Sequence, residues 1–240
     1  MTVNIGYASK CLSIIVTDRR INYGKNQEFG YSDNNNKLVN LKDMGWATGA
    51  GLASFLDSFK ERLSESVVKN SDDVISLFHD VVEKAKKNEP EFAEYIDNSV
   101  GMISWFSALE DLSEFFFRVG LLSNNDFGRN IALLSNEEIK IVYPSEYLDD
   151  IDKVRELEKR YEMNIKFDGD LNKVLSRILT IFAEISKESM FVSSICDVGL
   201  HFLSSEGFFK VRFSGEVEDL LNDLYLGEIE TRYEIVSKTP

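Results

Sequence analysis

The sequence is short of proline, cysteine and histidine, with 3, 2 and 2 of these residues among 240. Because nothing resembling a linker breaks the composition, we expect one domain over residues 1–240. Cys11 and Cys196 stand far apart on apolar segments, so neither a disulfide framework nor a cysteine metal site is expected. His79 and His201 are equally isolated. With no phosphate-binding loop and no cofactor fingerprint, we expect neither a metal nor a cofactor.

Basic residues are also scarce: the sequence contains 27 of them and 41 acidic residues, so its net charge is −14. Nucleic acids and anionic membranes are bound through clustered lysine and arginine, so neither is an expected partner. No apolar run approaches the roughly 18 residues of a membrane span. No charged segment followed by an apolar one marks a secretory signal. From these absences we expect a cytoplasmic protein.

Hydrophobic residues make up 43% of the chain, enough for a sizeable core. Near the N-terminus their spacing predicts two β-hairpins, the first from residues 3–9 and 12–17 and the second from 37–41 and 45–49. Apolar positions then recur every three or four residues from Leu52 to Leu63, which predicts a helix. Ser71, followed by two aspartates, is the expected N-cap of a second helix.

The rest of the chain repeats this alternation of strands and helices. It contains a strand-rich block over 101–143, helices over 146–162 and 171–188, strands over 191–204 and 207–213, and a short helix over 216–226. At two places along the chain, a pair of helices lies between two groups of strands. This order is typical of sheets that pack together with helices on their outer faces. The sequence therefore predicts an α+β fold.

Four features near the N-terminus occur in a specific order. Thr2 follows the initiator Met1, and Asp18-Arg19-Arg20 lies sixteen residues after Thr2. Lys37 opens a strand-like run, and a glycine-bearing turn around Gly49 leads into the first predicted helix. This order and spacing resemble those of the proteasome β subunits, which are N-terminal-nucleophile hydrolases. They also resemble those of the bacterial proteasome-like peptidase that forms rings with an ATPase. The likeness is good over about residues 2–65 and topological over most of the remainder.

The resemblance implies a four-layer αββα sandwich of two antiparallel sheets flanked by helices. It also implies that Thr2 becomes the nucleophile of a threonine peptidase or amidase once Met1 is removed. A threonine hydroxyl needs a base, and the α-amine of a terminal threonine, with an ordinary pKa of about 7.7–8.0, can serve. The reaction would be amide hydrolysis of a peptide or small amide through an acyl-enzyme ester. Family likeness further implies self-association, in a ring, and an ATPase partner.

The remaining site residues are assigned by the same resemblance. The Lys37 ammonium would disfavour a second positive charge and keep the Thr2 amine neutral. Asp18 would hold Lys37 charged and oriented, with Arg20 as a partner for the Asp18 carboxylate. The Gly49 main-chain N–H would stabilise the oxyanion. Four of these positions also have a structural interpretation. Thr2 is then an edge-strand threonine, Asp18 a hairpin cap or an ion-pair partner, Lys37 a solvated lysine at the start of a strand, and Gly49 a glycine required by the turn into the helix.

The second half of the chain departs from the family pattern. The family's supporting serine and aspartate residues should fall near Tyr143–Glu146 and Ser193–Gly199, but neither stretch preserves them. Three hypotheses therefore stay open. The chain is an active threonine peptidase, a catalytically silent scaffold or regulatory homologue, or an unrelated α+β binding protein.

Overall fold

The computed structural model describes residues 2–24, 27–42, 44–68, 70–108 and 115–239; Met1 lies outside the described residues. The strands are β1 (Asn4–Ala8), β2 (Leu12–Asp18), β3 (Ile21–Asn22), β4 (Tyr31–Ser32), β5 (Val39–Asn40), β6 (Trp46–Ala50), β7 (Val100–Ala108), β8 (Phe115–Ser123), β9 (Ala132–Leu133), β10 (Ile139–Val142), β11 (Ile195–Ser204), β12 (Gly207–Glu216) and β13 (Glu234–Thr239). The helices are α1 (Ala53–Glu65), α2 (Ser71–Asn88), α3 (Ala93–Asp97), α4 (Asn124–Phe127), α5 (Ser145–Leu148), α6 (Ile151–Tyr161), α7 (Leu171–Glu188) and α8 (Val217–Leu226).

Two antiparallel sheets form the centre of the molecule. The first has six strands in the order β10-β1-β2-β11-β12-β13, and the second has five in the order β5-β6-β7-β8-β9. The short strands β3 and β4 pair separately as a ribbon. Strand β2 is central to the first sheet because β1 pairs with one of its edges and β11 with the other.

Helices cover the outer face of each sheet. The buried side of α7 packs with α6, α8 and the apolar side chains of the first sheet in one cluster. On the second sheet, Phe55 and Phe59 of α1 meet Phe78 of α2 edge to face, with ring centroids 5.6 and 5.1 Å apart. A third cluster, which includes Ile15 and Met102, fills the space between the sheets. The layers therefore run α, β, β, α, and the predicted sandwich is confirmed.

Trp46 joins the two sheets across this inner cluster. Its indole N–H donates to the Leu200 carbonyl oxygen at 2.9 Å, so the second sheet is bonded to β11 of the first. A Cβ atom on Gly199 would lie 2.6 Å from the Trp46 ring. Because that separation is shorter than a van der Waals contact, the ring requires glycine at position 199.

Two details of the predicted helices are wrong. The N-cap of α2 is Asn70 rather than Ser71, since the extended Asn70 accepts a hydrogen bond from the Asp73 N–H at 3.0 Å. The single helix expected over 146–162 is divided into α5 and α6. Asp150 caps the second of these by accepting from the Lys153 N–H, which starts a new helix at Ile151. None of the helices in the described part of the chain combines the length and apolar character that a membrane crossing needs.

Candidate functional site

The hairpin of β1 and β2 brings Thr2 and Asp18 to the same end of the first sheet. Thr2 comes just before β1, and Asp18 is the last residue of β2. The antiparallel register pairs Asn4 with Thr17, and the Asp18 N–H donates to the Val3 carbonyl oxygen. Asp18 is completely buried, and Thr2 is 6% exposed. Local strand pairing thus places a threonine hydroxyl beside a buried carboxylate.

Lys37 bridges these two side chains. Its Nζ atom lies 2.8 Å from Thr2 Oγ1, and 3.1 and 3.2 Å from the two carboxylate oxygens of Asp18. The residue precedes β5 in a turn where the Asn36 side chain accepts from the Leu38 N–H. The structure therefore brings together three of the predicted site residues, which are separated by up to 35 positions in the sequence.

The Asp18 carboxylate accepts four hydrogen bonds. Besides Lys37, it accepts hydrogen bonds from the main-chain N–H groups of Val3, at 3.1 Å, and Arg20, at 2.8 Å. A buried carboxylate without such partners would be costly, and these four bonds stabilise its charged form. Its position is fixed by the strand backbone, so it can orient the Lys37 ammonium rigidly.

Burial shifts the pKa values of both members of this ion pair. Loss of water lowers the pKa of Lys37, while the negative charge of Asp18 and its hydrogen bonds act in the opposite direction. The same loss of water raises the pKa of Asp18, against the attraction of Lys37. Lys37 therefore holds its proton less tightly than a solvated lysine does, and it bonds directly to the Thr2 hydroxyl.

Arg20 meets Asp18 through its main chain rather than through its guanidinium. The guanidinium instead forms two bonds to Asp33, at 2.8 and 2.7 Å, and lies over the Tyr31 ring. It also donates to the Met190 carbonyl oxygen at 2.6 Å. Arg20 thereby fastens the ribbon of β3 and β4 to the segment before β11, a structural role that the sequence did not suggest.

Gly49 lies on β6, opposite Gly101 of β7. A Cβ atom at position 49 would be 2.6 Å from Leu56 of α1 and 2.9 Å from the Val100 carbonyl oxygen. Close packing of α1 on the strand therefore explains the glycine by itself. The oxyanion role of its N–H stays a prediction.

The segment Ser193–Gly199, where the family's supporting serine and aspartate residues are expected, makes its side-chain contacts elsewhere. Asp197 accepts from the Arg19 guanidinium through both carboxylate oxygens, at distances of 2.5–3.1 Å. The Ser193 hydroxyl accepts from the Ile195 N–H and is hydrogen-bonded to Asp33. The bonds of these two side chains therefore go to residues other than Thr2, in line with the departure from the family pattern.

One residue that sequence reasoning missed contacts the site. Lys60 of α1 is 5% exposed, and its Nζ atom donates to the Lys37 carbonyl oxygen at 3.3 Å. The signal was present in the sequence: Lys60 stands four residues after Leu56 and three before Leu63, on the apolar face of the helix. A lysine in that stripe is a buried cation rather than a solvated one.

Within the described ranges, no group of three or more His, Cys, Asp or Glu side chains is arranged to hold a metal ion. The site residues that come together are a hydroxyl, an ammonium and a carboxylate. This set can activate a hydroxyl nucleophile by proton transfer and can place positive charge beside it.

Comparisons with solved structures identify the same fold. Anbu, described as an ancestral beta-subunit, from Yersinia bercovieri superposes with a TM-score of 0.64 at 14% identity, over 96% of this chain and 94% of that one. The Gly-1 mutant of Anbu from Hyphomicrobium sp. strain MC1 gives 0.62 at 13% identity, over 96% of both chains. No protein-family model matches the sequence, and the search of curated proteins finds no significant relative.

Proposed function

We propose that this chain is a proteasome-like hydrolase that cleaves amide bonds with Thr2 as an N-terminal nucleophile. The observation that carries the proposal is the position of Lys37 Nζ, 2.8 Å from Thr2 Oγ1 and 3.1 Å from Asp18. The fold shared with an ancestral beta-subunit supports it. Assembly into a ring and pairing with an ATPase belong to the same proposal, as does a cytoplasmic location.

The proposed reaction begins after Met1 is removed. The freed α-amine of Thr2 takes the hydroxyl proton while Oγ1 attacks the substrate carbonyl carbon. The Lys37 ammonium next to Oγ1 favours the developing negative charge and disfavours a proton on the amine. Gly49 N–H is the proposed donor to the oxyanion. Collapse expels the amine product with a proton from the α-ammonium, and water then hydrolyses the ester.

A silent scaffold is the second candidate, and one observation favours it. Asp197 is bound by Arg19 rather than supporting the nucleophile. A scaffold would keep the ion pair of Lys37 and Asp18 for stability alone. Exposure and reactivity of the Thr2 amine separate the two candidates.

The test is intact-mass analysis of protein released from a cleavable fusion that leaves Thr2 as the first residue. The protein is treated with a peptide epoxyketone, which reacts with a terminal amine and hydroxyl together. We expect one adduct, lost in Thr2→Ala and retained in Thr231→Ala, a control at an exposed threonine. If the free Thr2 terminus forms no adduct, the hydrolase proposal is wrong and the scaffold is favoured.

A further inference from the structure

Lys60 is a cation buried within an apolar helix face. On α1 it is flanked by the buried residues Leu56, Phe59 and Leu63, and it is itself 5% exposed. An ammonium group removed from water destabilises a fold unless bonds replace its hydration. A methionine or leucine would fill the same position without that cost. The lysine therefore calls for an explanation beyond helix packing.

The bonds of Lys60 point toward the candidate site. Its Nζ atom lies 2.9 Å from Asp57 and donates to the main-chain oxygen of Lys37 at 3.3 Å. The Asp57 side chain is 66% exposed, so this ion pair alone does not require a buried lysine. The bond to Lys37 ties the lysine to the site, because Lys37 is itself buried, at 7% exposure.

The Lys37 carbonyl group is bonded to the Cα atom from which the side chain extends to Thr2 and Asp18. A shift of the main chain at this residue would move Nζ relative to both partners, which lie 2.8 and 3.1 Å away. We propose that Lys60 is a positioning residue that holds the Lys37 main chain and thereby sets the Lys37 ammonium between Thr2 and Asp18. Its catalytic consequence rests on the function proposed above.

The positive charge of Lys60 also affects the pKa of Lys37. The charged groups that face Lys37 are Asp18 at the end of β2, Asp33 after β4, and Lys60 on α1. Burial is the main reason that the pKa of Lys37 is lowered; the positive charge of Lys60 acts in the same direction, and the two aspartates oppose it. Asp57 lies beyond Lys60 and is bonded to it. Removing the Lys60 charge should therefore raise the pKa of Lys37.

The test uses NMR of protein labelled with 13Cε-lysine, with the Lys37 resonance assigned from Lys37→Arg. In Lys60→Met we expect the Lys37 titration midpoint to move to higher pH. Lys84→Met, which removes an exposed lysine from α2, should leave it unchanged. Lys60→Arg keeps the charge and should stay near the wild-type midpoint. An unchanged midpoint in folded Lys60→Met overturns the proposal, whereas a lowered midpoint would mean that the Lys37 ammonium has moved away from Asp18.

The second readout is the rate at which the epoxyketone modifies Thr2. Displacement of catalytic groups by about 1 Å can slow a reaction on the order of 100-fold, and we expect a loss of up to that size in Lys60→Met. Lys60→Arg should recover part of it. If wild-type protein forms no adduct, the proposed function fails, but the NMR titration still decides whether Lys60 acts on Lys37. A wild-type rate in Lys60→Met contradicts the positioning role.

Discussion

Replacing Asp18 by asparagine tests the ion pair at the centre of the site. The substitution keeps the shape of the side chain and removes its charge, so Lys37 becomes a buried ammonium without its nearest anion. The asparagine NH2 group would also meet donors, because the carboxylate accepts from Val3, Arg20 and Lys37. Breaking a buried pair by removing one partner typically costs about 3–5 kcal/mol of unfolding free energy.

That loss is large enough to measure by thermal unfolding. In a chain of this size each kcal/mol lowers Tm by about 2–4 °C, so Asp18→Asn should lower it by about 6–20 °C. Asp80→Asn, at an exposed position on α2, removes the same charge and serves as the control. Its Tm should stay close to that of the wild type, because surface substitutions usually change stability by less than about 0.5 kcal/mol.

The double variant Asp18→Asn/Lys37→Met identifies the cause of the loss. With the uncompensated ammonium gone, part of the stability should return, since the double variant no longer buries an unpaired charge. In urea unfolding we expect the two substitutions to be non-additive by at least about 1 kcal/mol. Strict additivity, or a loss below about 1 kcal/mol in Asp18→Asn, would refute the reasoning.

The stability of Asp18→Asn should also depend on pH. In Asp18→Asn the unpaired Lys37 has a folded-state pKa below its unfolded value, so the unfolded chain binds more protons between the two values. Stability of the variant should therefore rise, relative to wild type, as the pH approaches the ordinary lysine pKa. A difference that stays constant from pH 7 to pH 10 would mean that Lys37 remains charged and solvated in the variant.

Two further predictions concern the packing between the sheets. Gly199→Ala would push a methyl group into the Trp46 ring and should destabilise the protein by about 1–3 kcal/mol, with a shifted tryptophan emission; unchanged stability would contradict the close contact. Burial lowers the pKa of His201 to about 3, so below about pH 6.5 the unfolded chain takes up a proton that the folded chain does not. Wild type should therefore lose about 2 kcal/mol more than His201→Leu between pH 7 and pH 5 in urea unfolding, and parallel pH profiles would refute this.

Sequence reasoning found the parts of the site that depend on local order. Thr2 and Asp18 belong to one hairpin, and Lys37 opens the segment before β5, so spacing along the chain was sufficient to group them. The main helices and strands followed from apolar periodicity for the same reason. The division between α5 and α6 was missed because side-chain capping by Asp150 competes with continuation of the helix.

The contacts that sequence reasoning did not find come from distant elements. The pairing of Arg20 with Asp33 requires the ribbon of β3 and β4, and that of Arg19 with Asp197 joins residues 178 positions apart. Neither pattern has a local signature. Lys60 did have one, since it interrupts an apolar helix face, but its partner at Lys37 is fixed only by how α1 packs.

The central place of β2 has a consequence for biosynthesis. All seven residues of β2 are buried, and one of its two edges is closed only by β11, near the end of the chain. At about 5–20 residues per second, a ribosome would need roughly 10–40 s to make the intervening segment. During that time β2 offers an apolar, unpaired edge to other nascent chains. Fragments that stop before Ile195 should therefore aggregate, and the soluble yield of the whole chain should improve when a chaperone is supplied during synthesis.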